Sequence, residues 1–316
     1  MLAVSVAALL GSAIGTAWAL SHARRRGLID QPGERRSHAM PTPRGGGIGI
    51  AITCLCACIW LAVSTHDVVW WCAGAGLLLV SAVGWVDDHR PLSAWLRLLV
   101  HALAGVLLAF GLHVGGASGA VVLAALLLVP VLVNAWNFMD GIDGLATTQA
   151  VLCAAALACV LGGVAQAFAL IVAAAGIGFL PFNLPRARIF LGDVGSGALG
   201  YLIAVLLVLA MTGSAASNWP LLLLPPLVFL VDTGMTLLWR MRRGEAWWQP
   251  HVQHLYQRLA RRQGHTAVTC AYAIWTLGAI GIMLLLWQAS AAVVIFSVLV
   301  AGVLAMAAWR RLHAAD

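Results

Sequence analysis

Five of the eleven acidic residues of this chain lie in three short motifs rich in glycine and asparagine. The motifs occupy residues 84–90, 134–144 and 183–196, and their acids are Asp87, Asp88, Asp140, Asp143 and Asp193. Hard cations such as Mg²⁺ prefer oxygen ligands, usually one or two carboxylates together with substrate phosphates. Asp87, Asp88 and Asp193 could supply such carboxylates. We take these three as the candidate catalytic residues.

Basic side chains near these motifs suit phosphate binding. His38 and Arg44 precede a glycine run at residues 45–47, and guanidinium groups bind phosphate oxygens in a bidentate manner. The glycine run could bring backbone N–H groups to an anion, although glycine-rich helix starts in membranes are more often packing surfaces. Carboxylates, arginines and glycine turns, without a Cys/His cluster, predict a magnesium-dependent phosphoryl-transfer site, with Mn²⁺ as the alternative metal.

The rest of the chain consists of the apolar elements that must position these side chains. Of 316 residues, 62% are hydrophobic and 9% charged, and the mean hydropathy is +0.95. Soluble domains are about 45–50% apolar and about 25% charged. This composition excludes a soluble enzyme, a disordered chain and a nucleic-acid-binding domain. It indicates an all-α, polytopic integral membrane protein formed by a single domain over residues 1–316.

A membrane span needs about 20 mostly apolar residues, and about eleven such stretches can be placed, with ten as the alternative count. Residues 145–182 are the least certain part of this count, because only Gly162 and Gly163 separate the two stretches there. The predicted spans cover residues 2–20, 45–64, 68–86, 94–112, 119–136, 145–163, 165–182, 194–212, 219–239, 267–287 and 289–309.

The distribution of arginines predicts how these spans are oriented in the membrane. All 18 basic residues are arginines, and alternation of the spans places them on one side, whereas the opposite loops carry none. The positive-inside rule makes that side cytoplasmic. We therefore predict cytoplasmic site loops, a periplasmic N-terminus and a cytoplasmic C-terminus. The first helix is predicted to stay in the membrane, since its arginines follow the apolar stretch, unlike those of a signal peptide.

Alternative roles for the acids are less well supported. Ordinary interfacial loop acids would account for one aspartate, but carboxylates at a membrane boundary are costly and five of them share one face. A transporter or lipid flippase would place ionisable groups near the membrane midplane, often between repeated halves, and no repeat is visible. A catalytically silent homologue is a third alternative, although Asp87, Asp88 and Asp193 are all present.

In these motifs the chain resembles the polyprenyl-phosphate N-acetylhexosamine-1-phosphate transferases, and most closely the bacterial branch that starts O-antigen synthesis. The resemblance runs in order through residues 30–46, the three aspartate motifs and residues 251–259. It implies transfer of a sugar-1-phosphate from a UDP-N-acetylhexosamine to undecaprenyl phosphate, with release of UMP, in the bacterial inner membrane. The other partners that the resemblance implies are membrane lipids and, as an option, a second copy of the chain in a homodimer. It implies no nucleic-acid partner.

The resemblance also implies residue roles. Asp193 corresponds to the principal Mg²⁺ ligand. Asp88 corresponds to its partner in organising metal or phosphate, and Asp87 to a candidate general base beside the lipid phosphate. Positions that organise the nucleotide-sugar are matched by Asn137, Asp140, Asp143 and Asn183. Because a phosphomonoester with a second pKa near ~6 is mostly dianionic at pH 7, we expect direct attack rather than a covalent aspartyl-phosphate.

The last polar loop, residues 240–266, is predicted to reach over the site. From residue 251 it resembles a short amphipathic helix on the membrane, whose three- and four-residue spacing puts His251, His254 and Arg258 on one face. Arg243 is the further candidate for substrate binding in this loop. The alternative is a basic helix that holds anionic lipid. Tyr256-Gln257 stands where better-known members have histidines, which leaves the sugar open and argues against the large muramyl-pentapeptide substrate.

Two charged residues near span ends are ambiguous in the sequence. Asp232 lies inside a predicted span and is either a helix-packing contact or part of the site, with packing slightly favoured. Arg97 near the start of a span can snorkel to the cytoplasmic surface.

Overall fold

The computed structural model describes residues 1–31, 40–246, 248–249 and 251–314 of the chain. In this part the fold is a bundle of α-helices with one two-stranded antiparallel sheet. The α-helices are α1 (Leu2–Arg26), α2 (Ile48–Thr65), α3 (Val68–His89), α4 (Ala94–Val114), α5 (Gly119–Phe138), α6 (Leu145–Ala158), α7 (Gly163–Asn183), α8 (Gly192–Thr212), α9 (Leu227–Arg242), α10 (Leu255–Gln263), α11 (His265–Leu285) and α12 (Ala291–Ala314).

The prediction of an all-α polytopic membrane protein is confirmed, at the lower end of the predicted span count. Within the described residues, nine helices are long and apolar enough to span a membrane. A tenth span results if α9 is joined to the 3₁₀ helix Ala216–Leu223, which meets it at an angle of 70°. Pro225 and Pro226 lie at this bend, where the missing N–H groups of proline interrupt helical hydrogen bonding.

The predicted span at residues 145–163 is shorter than expected. Helix α6 has 14 residues, which is about 21 Å of helix against a hydrocarbon core of about 30 Å. It packs against α7, and the N–H of Gly144 at its start donates to Asn183 Oδ1 at the end of α7 (2.7 Å). Both ends of this helical hairpin therefore lie on the same face, and the predicted alternation of the loops is kept.

Helix α8 is the centre of the bundle, with 89% of its most apolar stretch buried. Glycines let its neighbours approach closely, as small residues do in membrane helix packing. A Cβ on Gly84 of α3 would lie 2.4 Å from the carbonyl oxygen of Asp193, and one on Gly200 of α8 would lie 2.4 Å from that of Leu132 in α5. This packing brings the last turn of α3 against the first turn of α8.

The segment before α2 is tied to the start of α8. Strands β1 (Ile29–Asp30) and β2 (Thr42–Pro43) pair in antiparallel register, with Asp30 opposite Thr42. The N–H groups of Gly46 and Gly47 then donate to the carbonyls of Phe190 (2.9 Å) and Leu191 (2.8 Å). These two N–H groups are bonded within the protein, which favours the packing role of the glycine run over anion binding at Gly46 and Gly47.

Candidate active site

The first and third aspartate motifs are joined by the carboxylate of Asp88. Its Oδ1 accepts the N–H of Asp193 (3.1 Å) and its Oδ2 the N–H of Val194 (3.2 Å). These N–H groups begin α8 and have no partner within the helix, so an acceptor there satisfies them and its charge suits the helix dipole. Arg44 completes the junction, with Nε 3.6 Å from Asp88 Oδ1 and Nη2 bonded to the carbonyls of Asp87 and Asp88.

Asp193 receives donors from two further helices. Asn137 at the end of α5 donates from Nδ2 to Asp193 Oδ1 (3.1 Å), and also to Ser196 Oγ (3.2 Å). Arg97 in α4 donates from Nη1 to Asp193 Oδ2 (3.2 Å). The Asp193 side chain remains 34% exposed. Side chains from three helices, α4, α5 and α8, thus meet at one carboxylate that still faces the solvent.

Arg97 links Asp87, the neighbour of Asp88 in the first motif, to the Asp193 carboxylate. The same Nη1 that contacts Asp193 lies 2.7 Å from Asp87 Oδ2, while Asp87 Oδ1 accepts the N–H of Leu92 (2.6 Å). The prediction that Arg97 snorkels to the surface was therefore wrong. A signal was present, because an arginine one turn into the helix after two aspartates can fold back onto them, but nothing in the spacing required it.

A cavity of about 400 Å³ opens beside this junction. It collects most of the predicted site residues, namely Arg44, Asp88, Asn137, Asp140, Asp143, Asn183, Asp193, His251 and His254. Side chains that the sequence analysis did not assign to the site also line it, among them Asp30, Arg97, Phe190, Trp248, Tyr256, Gln257 and His265. Asp87 stands behind Arg97, outside the lining.

The second motif forms one wall of the cavity. Burial, together with the negative charges of Asp88 and Asp143, raises the pKa of Asp140 to about 8. A carboxyl group with this pKa is mostly neutral at pH 7 and can donate a hydrogen bond. Asp143 lies 3.2 Å from His265 Nδ1. Asn183 is buried, and its amide nitrogen donates to the carbonyl of Ile189 (3.0 Å), so it braces the loops.

The last loop reaches the cavity, but its helix begins later than predicted. Helix α10 starts at Leu255, because the carboxylate of Asp232 accepts the N–H groups of Leu255 (2.9 Å) and Tyr256 (3.1 Å). His251 and His254 precede the helix and line the cavity. The prediction that they share a helical face with Arg258 was wrong, since that face does not exist before residue 255.

Arg258 and Arg243 lie elsewhere. Arg258 donates to His313 (2.9 Å) and lines a separate cleft with Trp239. Arg243 stacks over the Trp239 ring at 4.6 Å and pairs with Glu245 (3.2 Å). The structure does not bring these two arginines to the cavity as substrate-binding groups. His38, predicted to contact phosphate, lies outside the described residues.

Two histidines of the loop, His251 and His254, have lowered pKa values. Burial, with the nearby charges of His254 and Arg240, lowers the pKa of His251 to about 3. Burial also lowers the pKa of His254. An imidazole with a lowered pKa offers hydrogen-bonding nitrogens rather than a positive charge. Among the described residues, the arginines that line this cavity are Arg44 and Arg97.

The donor set suits a metal that shares its coordination with substrate. In the described part of the chain, no three His, Cys, Asp or Glu side chains are grouped to hold a metal. Mg²⁺ does not need such a cage, because it keeps waters and takes one or two carboxylates with substrate phosphates. Asp193, which remains partly exposed, and Asp88, whose carboxylate has lone pairs beyond the two used by α8, fit that requirement.

Comparison with known proteins gives the family of this chain. The model of glycosyl transferase family 4 matches residues 70–211, the part that carries all three aspartate motifs. The undecaprenyl-phosphate alpha-N-acetylglucosaminyl 1-phosphate transferase of Yersinia pestis is 30% identical, over 81% of this chain and 77% of its own. The chain belongs to glycosyl transferase family 4. The predicted resemblance to its polyprenyl-phosphate N-acetylhexosamine-1-phosphate transferases is thereby confirmed, and the chain is a sugar-1-phosphate transferase.

Two other relatives of this transferase cover most of both chains. The decaprenyl-phosphate N-acetylglucosaminephosphotransferase of Mycobacterium tuberculosis is 28% identical over 333 residues, which is 89% of this chain and 82% of the relative. A probable undecaprenyl-phosphate N-acetylglucosaminyl 1-phosphate transferase of Bacillus subtilis is 29% identical over 74% of this chain and 70% of the relative. The similarity therefore extends well beyond the aspartate motifs.

Proposed function

We propose that this transferase moves an N-acetylhexosamine-1-phosphate, or a related amino-sugar-1-phosphate, from a UDP-sugar to undecaprenyl phosphate and releases UMP. The observation that carries the proposal is the junction of α3 and α8, where Asp88 and Asp193 meet beside Arg44 and Arg97 at one end of the cavity. Carboxylates and guanidinium groups at one point suit a pyrophosphate with a divalent ion.

The chain's own residues would bind and orient the phosphates. Arg44 and Arg97 line the cavity and are placed to neutralise phosphate oxygens as charge builds up in the transition state. Arg97 is held by Asp87. We therefore assign Asp87 to orienting Arg97 rather than to removing a proton, since the acceptor phosphate is mostly dianionic at pH 7.

The reaction would proceed by one displacement. An oxygen of the lipid phosphate attacks the β-phosphorus of the UDP-sugar, the bond from that phosphorus to the bridging oxygen breaks, and UMP departs with the bridging oxygen. Mg²⁺, or Mn²⁺ in its place, would be held by Asp193 and Asp88 and would supply positive charge to the pyrophosphate oxygens. Asn137 keeps the Asp193 carboxylate oriented.

The biological setting follows from the same proposal. We place the transferase in a bacterial inner membrane with the cavity on the cytoplasmic face, where the arginine distribution orients it. The product would be the first lipid-linked intermediate of a cell-surface polysaccharide, of the O-antigen kind. Reporter fusions after α1 and α12 test the orientation, and a result that places the loop after α1 outside the cytoplasm would contradict it.

The test of the reaction is an incubation of the purified protein with undecaprenyl phosphate, Mg²⁺ and a panel of UDP-N-acetylhexosamines, with UMP release as the measurement. We expect UMP with at least one UDP-sugar and none without the lipid. A β-phosphorus made chiral by isotopic substitution should be inverted, and net retention would overturn the single displacement. No UMP from any UDP-sugar would favour the transporter or the silent homologue instead.

A further inference from the structure

A buried carboxylate outside the cavity holds together the four helices behind the last loop. Asp232 in α9 is 2% exposed. Its carboxylate accepts five hydrogen bonds from four helices: the N–H groups of Leu255 (2.9 Å) and Tyr256 (3.1 Å) in α10, Tyr272 Oη in α11 (2.8 Å), Trp309 Nε1 in α12 (3.2 Å) and Thr236 Oγ1 in α9 itself (3.2 Å).

Five donors and a helix start account for the burial of this charge. A carboxylate taken out of water is costly unless hydrogen bonds compensate it, and bonds to an ionised acceptor are about twice as strong as neutral ones. The positive end of the α10 dipole adds to this compensation. An asparagine would offer one oxygen and place an NH₂ group against donors, so only the charged carboxylate satisfies the whole set.

The two bonded N–H groups belong to the residues that follow His254. The His254 ring lies in the cavity wall, and its Nδ1 is 3.9 Å from Asp232 Oδ1 and has no hydrogen-bond partner among the described residues. Fixing the backbone at Leu255 and Tyr256 therefore fixes the direction in which His254 enters the cavity. The position of His251 is constrained as well, since its ring packs on that of His254 with a centroid separation of 4.7 Å.

Tyr256 connects the start of α10 to the end of α5, which holds Asp193. Its hydroxyl donates to the carbonyl of Phe138 (2.9 Å), the residue after Asn137, which holds Asp193. The hydroxyl also fills the space above Gly141, where a Cβ would lie 2.2 Å from it. One buried carboxylate thus sets the position of the loop histidines relative to α5 and the second motif.

We propose that Asp232 is a positioning residue that holds residues 251–257 against the cavity, on the side formed by the second motif, where the UDP-sugar binds. The proposal rests on the proposed function for the identity of that substrate. Asp232 contacts no substrate. It acts through the two N–H groups of α10, and its loss would loosen the histidines while leaving Asp88, Asp193 and Arg97 in place.

The test compares Asp232→Asn with Thr233→Val. Thr233 is the next residue of the same helix and is also buried, and within the described residues its hydroxyl bonds to carbonyls of its own helix. For Asp232→Asn we expect the KM for the UDP-sugar to rise about tenfold, as for the loss of about 1.4 kcal/mol of binding. The KM for undecaprenyl phosphate should be unchanged, and Thr233→Val should resemble wild type. A fall in kcat with unchanged KM would mean that Asp232 only supports packing and would overturn the proposal.

Two further measurements cover the case in which Asp232→Asn does not fold. Tyr272→Phe removes the hydroxyl that bonds to the same Asp232 oxygen as the Tyr256 N–H. The carboxylate is then less firmly oriented toward α10, so we expect a KM rise of about threefold in a folded protein. Wild-type KM in this variant would contradict the proposal. Hydrogen exchange can be measured without activity. In any folded Asp232 variant the amides of Leu255 and Tyr256 should exchange faster than in wild type, and unchanged protection would refute the positioning role of Asp232. Absence of UMP from the wild type would instead refute the proposed function and leave the exchange result standing.

Discussion

Gly84 gives the sharpest test of how the aspartates are spaced. It lies one turn before Asp88 on the same face of α3, and a Cβ there would lie 2.4 Å from the carbonyl oxygen of Asp193 and 2.6 Å from the nitrogen of Val194. Ordinary contact for a Cβ begins at 3.4 Å. Because both obstacles are backbone atoms, Gly84→Ala must move α3 away from the start of α8 by about 1 Å.

This displacement acts directly on the carboxylates of Asp88 and Asp193, which we propose are catalytic. The bond from the Asp193 N–H to Asp88 Oδ1 measures 3.1 Å, and a shift of about 1 Å stretches it beyond hydrogen-bonding distance. A misplacement of this size costs about 100-fold in catalysis, so we expect kcat/KM for UMP release to fall about 100-fold. The free energy of unfolding should fall by about 0–2 kcal/mol, since overpacking of about 1–3 kcal/mol is partly offset by the gain of about 1 kcal/mol in helix propensity.

The control is Gly278→Ala in α11, where nothing lies within 4 Å of the added Cβ. It makes the same chemical change in a helix away from the site, so it should keep wild-type UMP release. Thermal melting of both variants checks that each is folded. A folded Gly84→Ala protein with activity within about twofold of the control would refute the claim that this glycine contact sets the carboxylate spacing.

Three further predictions concern single side chains of the cavity. Asp193→Asn should abolish UMP release without changing the melting temperature, because an amide cannot replace the charge that faces metal and arginine; retained turnover would remove its metal role. Arg97→Gln should lower kcat/KM by about 10²–10³ with its folding intact, as for loss of one transition-state donor, and wild-type kinetics would contradict this. The third concerns pH. The pKa of Asp140, about 8, is above the usual 3.8, so the protein loses stability through this group as the pH rises from about 4 to about 8, where the unfolded chain is ionised and the folded one is still protonated. Asp140→Asn stays neutral, so its melting temperature should fall less than that of wild type between about pH 5 and pH 8, whereas equal slopes would contradict the raised pKa.

The aspartate motifs were predictable because the chain has so few polar residues. In a chain that is 9% charged, acids placed at helix ends on one face point to a shared site, and the structure brings Asp88, Asp140, Asp143 and Asp193 to one cavity. The short α6 was visible only as an ambiguity, since Gly162 and Gly163 mark a turn without saying how deep in the membrane it lies.

The wrong predictions have a common physical cause. A side chain can hydrogen-bond to a backbone N–H group, or pair with a charged group, that is far away in sequence. The α10 start is set by Asp232, 23 residues earlier, so the helical spacing of His251, His254 and Arg258 was a misleading local pattern. Snorkelling was the wrong prediction for Arg97 because its partners on α3 and α8 come together only in the folded bundle. Local periodicity carries no information about either contact.

The charges at the junction give a physical reason to expect a cation there beyond the arginines. Asp87, Asp88 and Asp193 face two guanidinium groups, Arg44 and Arg97, so with all three carboxylates ionised the formal charge at the end of the cavity is one negative. In the proposed reaction, a nucleotide pyrophosphate and a lipid phosphate would add more negative charge at the same point, and no lysine exists in the chain to offset it. A divalent ion that entered with the substrate would reduce this repulsion where the phosphates meet. The dependence of UMP release on Mg²⁺ should therefore steepen in Arg97→Gln, and an unchanged dependence would mean that the arginine and the metal act on different phosphates.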